Sequence, residues 1–139
     1  MSTEIKFELV SPEEKLVSQA YHMVVVPGDE GAIGVLSGHS ALVTSLKPGV
    51  VKMYTSDNDN DPERIFIAGG FADITPELCT VLAEEAIKVA KLDVDALQKK
   101  LTDLNEDIDL AKEEADKQRI QQKINLVKAK IDAAQKASA

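Results

Sequence analysis

Few residues in this chain have the chemical character of a catalytic or metal-binding group. The 139 residues include two histidines, His22 and His39, and one cysteine, Cys79. No histidine, cysteine or carboxylate stands at a metal-ligand spacing from His39, and Cys79 lies in an apolar run that is typical of a strand. We therefore expect two structural histidines, a buried and unreactive thiol, and neither a metal nor a cofactor.

The acidic pair Asp29 and Glu30 is the other group near His39 whose side chains have the chemistry of catalytic residues. No nucleophile and base stand together there, as nucleophilic catalysis requires. The neighbouring glycines do not form a phosphate-binding loop, because no Gly-Lys-Ser/Thr follows them and no helix begins after them. The sequence therefore offers no residue pattern that supports a catalytic site in this segment.

The composition limits the partners that this protein can bind. A formal net charge of −8, an aromatic content of 4% and the absence of Trp argue against nucleic-acid binding. A single cysteine excludes an internal disulfide and suits a reducing compartment. Residues 1–10 lack the features of a signal peptide, and no apolar run approaches the roughly 20 residues that span a bilayer. We expect membrane association only through partners.

The segment 27–49, PGDEGAIGVLSGHSALVTSLKPG, contains five glycines and two prolines around two short apolar runs. Glycine reaches positive φ angles and close backbone approaches that strain other residues. This pattern indicates strands joined by tight turns. Together with a later Gly-Gly pair, the predicted structural turn residues are Gly28, Gly34, Gly38, His39, Pro48, Gly49, Gly69 and Gly70.

Apolar residues alternate with polar ones up to about residue 85. Ile5, Phe7 and Leu9 follow the two-residue period of a strand, and 19–26 is a β-branched run that ends at Pro27-Gly28. Further runs are separated by the polar segment SDNDNDP and by glycine or proline turns. The sequence predicts an N-terminal antiparallel β-sandwich of about 8–10 short strands over residues 1–88.

Glycine and proline are absent after residue 92, and the apolar spacing becomes that of a helix. The first apolar stripe comprises Leu97, Leu101, Leu104 and Ile108, and the second comprises Ile120, Ile124, Val127, Ile131 and Ala134. The stripes are out of phase, so one straight helix cannot place both on one face. We predict a break within 105–116 and an antiparallel two-helix hairpin over 89–139, with Asp93 as its N-cap.

The charge pattern favours the same hairpin. Residues 93–116 carry nine acidic and three basic side chains, whereas 117–139 carry six basic and one acidic. An antiparallel hairpin places the acidic half beside the basic half. Because ordering its roughly 45 residues offsets the burial of the stripes, an isolated hairpin is marginally stable. We expect a mobile arm that rests on the sandwich or on a partner.

These segments, in this order, closely resemble the epsilon subunit of bacterial F-type ATP synthases over essentially the whole sequence. The matching motifs are Pro27-Gly28, Gly31 with Gly34, Gly38-His39, the Leu-Lys-Pro-Gly of residues 46–49, and Gly69-Gly70. The resemblance implies a non-catalytic central-stalk (rotor) subunit of a proton-translocating complex. Its sandwich is expected to bind the gamma subunit and the c-ring, and so to couple ring rotation to ATP synthesis at the beta subunits. The implied location is peripheral, on the cytoplasmic face of the bacterial inner membrane.

The resemblance also assigns candidate contacts. The turn that meets the c-ring corresponds to Asp29, Glu30, Gly31 and Ala32. In this family the hairpin can extend along gamma and block ATP hydrolysis through basic side chains, for which the candidates are Lys112, Lys117, Arg119, Lys123, Lys128 and Lys130. A nucleotide-binding motif of some relatives is degenerate here: Leu92 and Asp93 match it, but Ala96 replaces the arginine that pairs with phosphate.

Two alternatives remain open from the residues alone. A β-sandwich with a coiled-coil arm also suits a stand-alone module that binds another protein partner. A small enzyme using His39, Asp29 or Glu30 is the third hypothesis, and no catalytic pair supports it.

Overall fold

The computed structural model describes residues 4–138, and the protein divides into two compact units, Met1–Lys88 and Val89–Ala139. The described part of the first unit forms ten strands: β1 Ile5–Val10, β2 Lys15–Tyr21, β3 Met23–Gly28, β4 Gly31–Leu36, β5 Leu42–Leu46, β6 Gly49–Tyr54, β7 Glu63–Ile67, β8 Gly70–Ile74, β9 Leu78–Ala83 and β10 Ala86–Lys88. The second unit contains a 3-10 turn, Val89–Lys91, and two helices, α1 Val94–Leu110 and α2 Glu114–Ser138. The predicted sandwich followed by a helical hairpin is confirmed.

The strands follow one hydrogen-bonded path that forms two layers. Their order is β10-β7-β6-β3-β5-β8-β9-β1-β2, and β4 pairs with β3 outside this path. Strands β3 and β5 share only the Gly28/Leu46 pair, so the path is almost divided there into two groups of five strands. Within residues 4–138, the pairing of β1 with β9 is parallel and the other pairings are antiparallel. These two strands are distant in sequence, so no hairpin turn fixes their relative direction.

The core lies between the inner faces of these layers. Ile5, Phe7 and Leu9 are fully buried, which confirms the inward face inferred from their alternation. Tyr21 packs edge-on against Phe7 with the ring centroids 6.2 Å apart, and its hydroxyl donates to Glu63 Oε2 over 3.3 Å. Apolar burial of this kind is the main source of stability for the sandwich.

The β-branched run 19–26 is interrupted at His22. Strand β2 ends at Tyr21 in one group of strands, and β3 begins at Met23 in the other group. The bend is held by the His22 N–H, which donates to the Tyr54 carbonyl over 2.8 Å, and by a contact between His22 Nε2 and the Asp57 carboxylate. The backbone changes layers here, which a local apolar pattern does not reveal.

The second unit is an α-helical hairpin with an apolar seam. Buried seam residues come from both predicted stripes: Leu104, Ile124, Val127 and Ile131, with Leu97, Leu101, Ile108 and Ile120 partly buried beside them. Helix α1 ends at Leu110 and α2 begins at Glu114, so the break lies inside the predicted window. The Asp93 side chain accepts a hydrogen bond from the Ala96 N–H over 3.2 Å, as expected of an N-cap.

Candidate partner-binding surfaces

The turn between β3 and β4 presents two carboxylates to solvent. Gly28 and Gly31 pair across the hairpin, so that Asp29 and Glu30 form its two-residue tip, and both side chains are exposed. Gly31 has a φ of 139°, and a Cβ on Gly28 would lie 2.7 Å from the Gly31 carbonyl oxygen. A glycine is therefore needed on each side of the tip.

The backbone of this tip is tied to the neighbouring strand. The Asp29 N–H donates to the Ser45 carbonyl over 3.1 Å, and the Lys47 N–H donates to the Pro27 carbonyl over 2.9 Å. The acidic pair is therefore held on a fixed backbone, and Ala32 follows it as an exposed residue of β4. This tip can offer a partner two negative charges and a small apolar side chain.

The other predicted turn residues lie around the sandwich with differing roles. His39 Nδ1 lies 2.7 Å from the Ser40 carbonyl oxygen, and the Gly38 N–H donates to the Pro76 carbonyl over 2.8 Å. Gly49, after Pro48, faces Pro27, whose Cβ would lie 2.9 Å from an added Cβ. Gly34 differs from the prediction: it is a regular residue of β4 paired with Val25, and its φ is not positive.

An exposed apolar surface on β5, β8 and β9 was not found by sequence reasoning. Val43, Phe71 and Leu82 are 70%, 57% and 54% exposed. Phe71 lies opposite Leu82 across the β8/β9 pair and opposite Ser45 across β5/β8, so the period of two places all three apolar side chains on the same outer face. We call these three residues the outer apolar face.

A signal for this face was present in the sequence. Successive residues of β8 face opposite sides of the sheet, so Phe71 faces away from the side of buried Ala72 and lies on the same side as exposed Asp73. The charged Asp73 marks this side as the solvent side of β8. Exposed large apolar side chains that cluster in this way mark interaction sites in proteins.

The basic residues proposed to contact beta lie in the turn of the hairpin and along α2. Lys112 is in the turn, and the others are on α2, where all are exposed except Lys130, which is half-buried. Arg119 forms an ion pair with Asp116, one turn earlier on the same helix. The other exposed lysines of this set, Lys112 in the turn and Lys117, Lys123 and Lys128 on α2, can meet an acidic partner.

The degenerate nucleotide motif at Leu92 and Asp93 has a structural role in this fold. The Asp93 carboxylate accepts the Ala96 N–H at the N-terminus of α1, where the helix dipole also favours a negative charge. A carboxylate at this position repels phosphate. The helix start is therefore capped by a side chain of the protein itself.

Residues 4–138 offer neither a metal site nor a membrane span made of helix. No cluster of three or more histidine, cysteine, aspartate or glutamate side chains in this range is arranged to hold a metal ion. Neither helix within these residues has the length and apolar character needed to cross a membrane.

Cys79 is expected to be inert in the folded protein. It is fully buried, and burial, with a smaller contribution from the charge of Asp73, raises the pKa of its thiol to about 12. At pH 8 the thiolate is the reactive species and is almost absent, so a thiol reagent such as DTNB should react with native protein far more slowly than with protein in 6 M guanidinium chloride. Equal rates in the two conditions would contradict this.

Comparisons with known proteins agree across both units. Residues 4–89 match the family described as "ATP synthase, Delta/Epsilon chain, beta-sandwich domain", and residues 93–139 match the C-terminal domain family of the ATP synthase epsilon subunit. The ATP synthase epsilon chain of Rhodospirillum centenum is 43% identical over 135 residues, which cover 95% of this protein and 92% of that one. The epsilon chain of Parvibaculum lavamentivorans is 38% identical over 129 residues, covering 92% and 96%.

Two solved structures are similar in fold. A subunit in the Euglena gracilis mitochondrial ATP synthase (OSCP/F1/c-ring, rotational state 1) aligns with a TM-score of 0.77 at 24% identity, covering 99% of this protein and 82% of that subunit. A subunit in the Tetrahymena thermophila mitochondrial ATP synthase, described as central stalk and c-ring, aligns with a TM-score of 0.66 at 14% identity, covering 94% and 96%.

Proposed function

The protein belongs to the ATP synthase epsilon chain family, and from this premise we propose that it is a non-catalytic rotor subunit that couples c-ring rotation to ATP synthesis. The proposal is supported by the outer apolar face of the sandwich, whose three side chains are exposed to solvent and lie outside the buried core. The similarity of the fold to a subunit of a central-stalk and c-ring assembly agrees with it. A stand-alone module for another partner has no comparable support.

We infer that the outer apolar face binds the gamma subunit. Val43, Phe71 and Leu82 lie on three adjacent strands whose backbones are hydrogen-bonded to one another, which suits a permanent contact. Buried aromatic side chains near the centre of an interface supply much of its binding free energy. Phe71, the aromatic residue of the three, is the expected anchor.

The interface can be tested by charge substitution. Phe71→Asp and Leu82→Asp each place a carboxylate on the outer apolar face, and we expect each to weaken binding of the full-length protein to purified gamma by about 100-fold, since truncation of an anchor costs about 2–4 kcal/mol. The dissociation constant is measured by isothermal titration calorimetry or surface plasmon resonance.

Leu36→Asp is the matched control, because Leu36 is 45% exposed and lies on β4 of the sandwich rather than on β5, β8 or β9. It should leave gamma binding unchanged. Equal loss from all three substitutions would remove the support for this face, and no binding of the unaltered protein to gamma would overturn the proposed function.

The acidic tip is proposed to meet the polar loops of the c-ring. Asp29 and Glu30 are exposed on a turn whose backbone is hydrogen-bonded to β5. Gly31 and Ala32, which follow the turn, add no bulky side chain beside it. Charges on an exposed rim steer association and fix register more than they add affinity. This contact would therefore orient the sandwich on the ring while gamma holds it.

The hairpin is proposed to be a regulatory arm. Lys117, Lys123 and Lys128 supply basic charge on the exposed sides of α2, and the proposed target is an acidic surface of beta. With the protein bound to gamma and the c-ring, its location would be peripheral, on the cytoplasmic face of the bacterial inner membrane. The degenerate motif at Asp93 does not support ATP binding.

A further inference from the structure

Strand β4 has a free edge that lacks the usual protection against pairing with another chain. It joins the sheet only through β3, so within residues 4–138 its other side is unpaired. Its six residues, Gly-Ala-Ile-Gly-Val-Leu, include neither a charged residue nor a proline, and its register with β3 has no bulge. Charged side chains, prolines and bulges are the devices by which proteins keep sheet edges from pairing. Strand β4 is therefore open to an added strand.

The strands at the two ends of the hydrogen-bonded path are protected in these ways. Strand β2 begins with Lys15, and its register with β1 shifts between Leu9 and Val10, as at a bulge. Strand β10 has only three residues and ends in Lys88. Short strands, lysines and bulges all discourage the pairing of an edge. The open edge is thus a particular property of β4.

The hydrogen bonds of β3 determine which backbone groups of β4 point to the free edge. In an antiparallel pair, hydrogen-bonded and non-hydrogen-bonded residue pairs alternate. Pro27 has no N–H, and its carbonyl accepts the Lys47 N–H over 2.9 Å, so the Pro27/Ala32 pair is not hydrogen-bonded. The N–H and C=O groups of Ala32 therefore point away from β3, and so do those of Gly34 two residues later.

Leu36 follows the same alternation. Its carbonyl accepts the His39 N–H over 3.1 Å, outside the β3/β4 ladder. Ala32, Gly34 and Leu36 are all exposed, whereas the Val35 side chain between them is buried. Within the described part of the chain, Ala32 and Gly34 have no hydrogen-bond partner on the side of the free edge. These two residues offer two donors and two acceptors to an incoming strand.

The two ends of this edge differ in chemistry. Gly31, the first residue of β4, directly follows the exposed carboxylates of Asp29 and Glu30. At the other end, Leu36 is 45% exposed. A strand added to β4 would therefore meet two negative charges at one end and an apolar side chain at the other. Such an arrangement selects both the charge and the direction of the partner.

We propose that the free edge of β4 binds an extended segment of a partner protein as an added antiparallel strand. Because β4 runs away from the acidic tip, the segment has an uncharged stretch followed, at its C-terminal end, by lysine or arginine beside Asp29 and Glu30. Main-chain hydrogen bonds to Ala32 and Gly34 supply the affinity, and the tip sets the direction. The site is a property of the isolated protein. In a rotor, the added strand would lie beside the proposed ring contact.

The test titrates a synthetic peptide into the full-length protein and follows the backbone amides by NMR. The peptide is Thr-Val-Thr-Val-Thr-Lys-Lys with both termini blocked, so that its lysines reach the acidic tip when it lies antiparallel to β4. The matched control is Thr-Val-Pro-Pro-Thr-Lys-Lys, which keeps the charge but lacks the backbone donors of a strand. We expect the control to bind at least about tenfold more weakly, equivalent to about 1.4 kcal/mol.

The pattern of amide protection separates strand addition from other contacts. The N–H groups of Ala32 and Gly34 face the free edge, whereas those of Ile33 and Val35 lie on the side of β3. With saturating peptide, hydrogen exchange at Ala32 and Gly34 should slow by at least about tenfold. Exchange at Ile33 and Val35 should be slow both with and without the peptide.

Two variants of the protein test the two parts of the site. Ala32→Pro removes an edge donor but no hydrogen bond of the β3/β4 ladder, and should weaken peptide binding by at least about tenfold while exchange at Ile33 stays slow. The double variant Asp29→Asn with Glu30→Gln keeps every backbone group of the edge. It should bind more weakly than the unaltered protein, and its binding should lose most of its salt dependence.

Four results would overturn the inference: no binding at millimolar peptide, equal binding of the proline-containing control, fast exchange at Ala32 and Gly34 with the peptide bound, or unchanged binding by the Ala32→Pro variant. Protection of these two amides that rises with protein concentration, without peptide, would identify a second copy of this chain as the occupant and overturn it as well. Because the experiment contains no other ATP synthase subunit, its failure leaves the proposed rotor role standing, and a failure of gamma binding leaves the peptide result standing.

Discussion

Replacing Gly70 by alanine is expected to unfold the sandwich or to lower its stability by more than about 4 kcal/mol. Gly70 begins β8 with a φ of 149°, and a Cβ there would lie 2.0 Å from the Leu82 carbonyl oxygen and 3.0 Å from the Ala83 Cα. Both contacts are with the backbone of β9, which pairs with β8. A rotamer change cannot relieve them, so the two strands must separate.

Two other glycines are controls for this substitution. Gly31 has a φ of 139° but open space around its Cα, so Gly31→Ala should show only the dihedral cost, about 1–3 kcal/mol. Gly34 has no positive φ, and its added Cβ would meet Met23 Sδ at an ordinary 3.6 Å, so Gly34→Ala should stay within about 0.5 kcal/mol. The expected order of destabilisation is Gly70, then Gly31, then Gly34.

The readout is urea unfolding followed by tyrosine fluorescence. Both tyrosines, Tyr21 and Tyr54, lie in the first unit, so the signal reports on the sandwich without a contribution from the hairpin. For a unit of this size, a loss of about 4 kcal/mol lowers the thermal midpoint by about 15 °C or more. Similar midpoints for the variants at Gly70 and Gly34 would show that β8 and β9 are not as close at this point as the structure places them.

The sequence predicts those elements in which buried residues recur at the regular spacing of a strand or of a helix. The alternation of Ile5, Phe7 and Leu9 and the out-of-phase helical stripes have direct counterparts in the core and in the seam. The His22 bend, the three residues of β10 and the parallel β1/β9 pair depend on long-range pairing, for which a local pattern carries no signal.

The sequence predicts one of the candidate surfaces of the sandwich and not the other, for a different reason. The acidic tip is marked by its flanking glycines, which a two-residue turn requires. The outer apolar face was missed because Phe71 has the character of a core residue, and only the parity of its neighbours places it outside. At a binding surface, a large apolar side chain is exposed in the free protein and becomes buried only when the partner binds.

The hairpin is expected to account for inhibition of ATP hydrolysis by the full-length protein. Titrated into a synthase core depleted of its epsilon subunit, the full-length protein should suppress hydrolysis by at least about tenfold, equivalent to about 1.4 kcal/mol of coupling. A fragment of residues 1–91 retains the sandwich, the acidic tip and the outer apolar face but lacks the arm. It should bind the core without suppressing hydrolysis.

Charge reversal in the full-length protein tests which part of the arm acts. Lys123→Glu and Lys128→Glu together change two exposed positions of α2, and should restore most of the hydrolysis if the arm meets acidic beta surfaces. Lys99→Glu with Lys100→Glu makes the same kind of change on α1 and should leave inhibition intact. The inhibition should also weaken as salt rises, since exposed charges are screened.

The outcomes divide the roles of the two units. Suppression by both the full-length protein and the fragment would assign inhibition to the sandwich and remove the regulatory role of the arm. Binding by both without suppression would leave a rotor subunit whose hairpin is structural. If only the full-length protein suppresses hydrolysis and the reversal on α2 alone relieves it, the basic side chains of α2 are the inhibitory contact, because the matched reversal on α1 carries the same charge chemistry on the same arm.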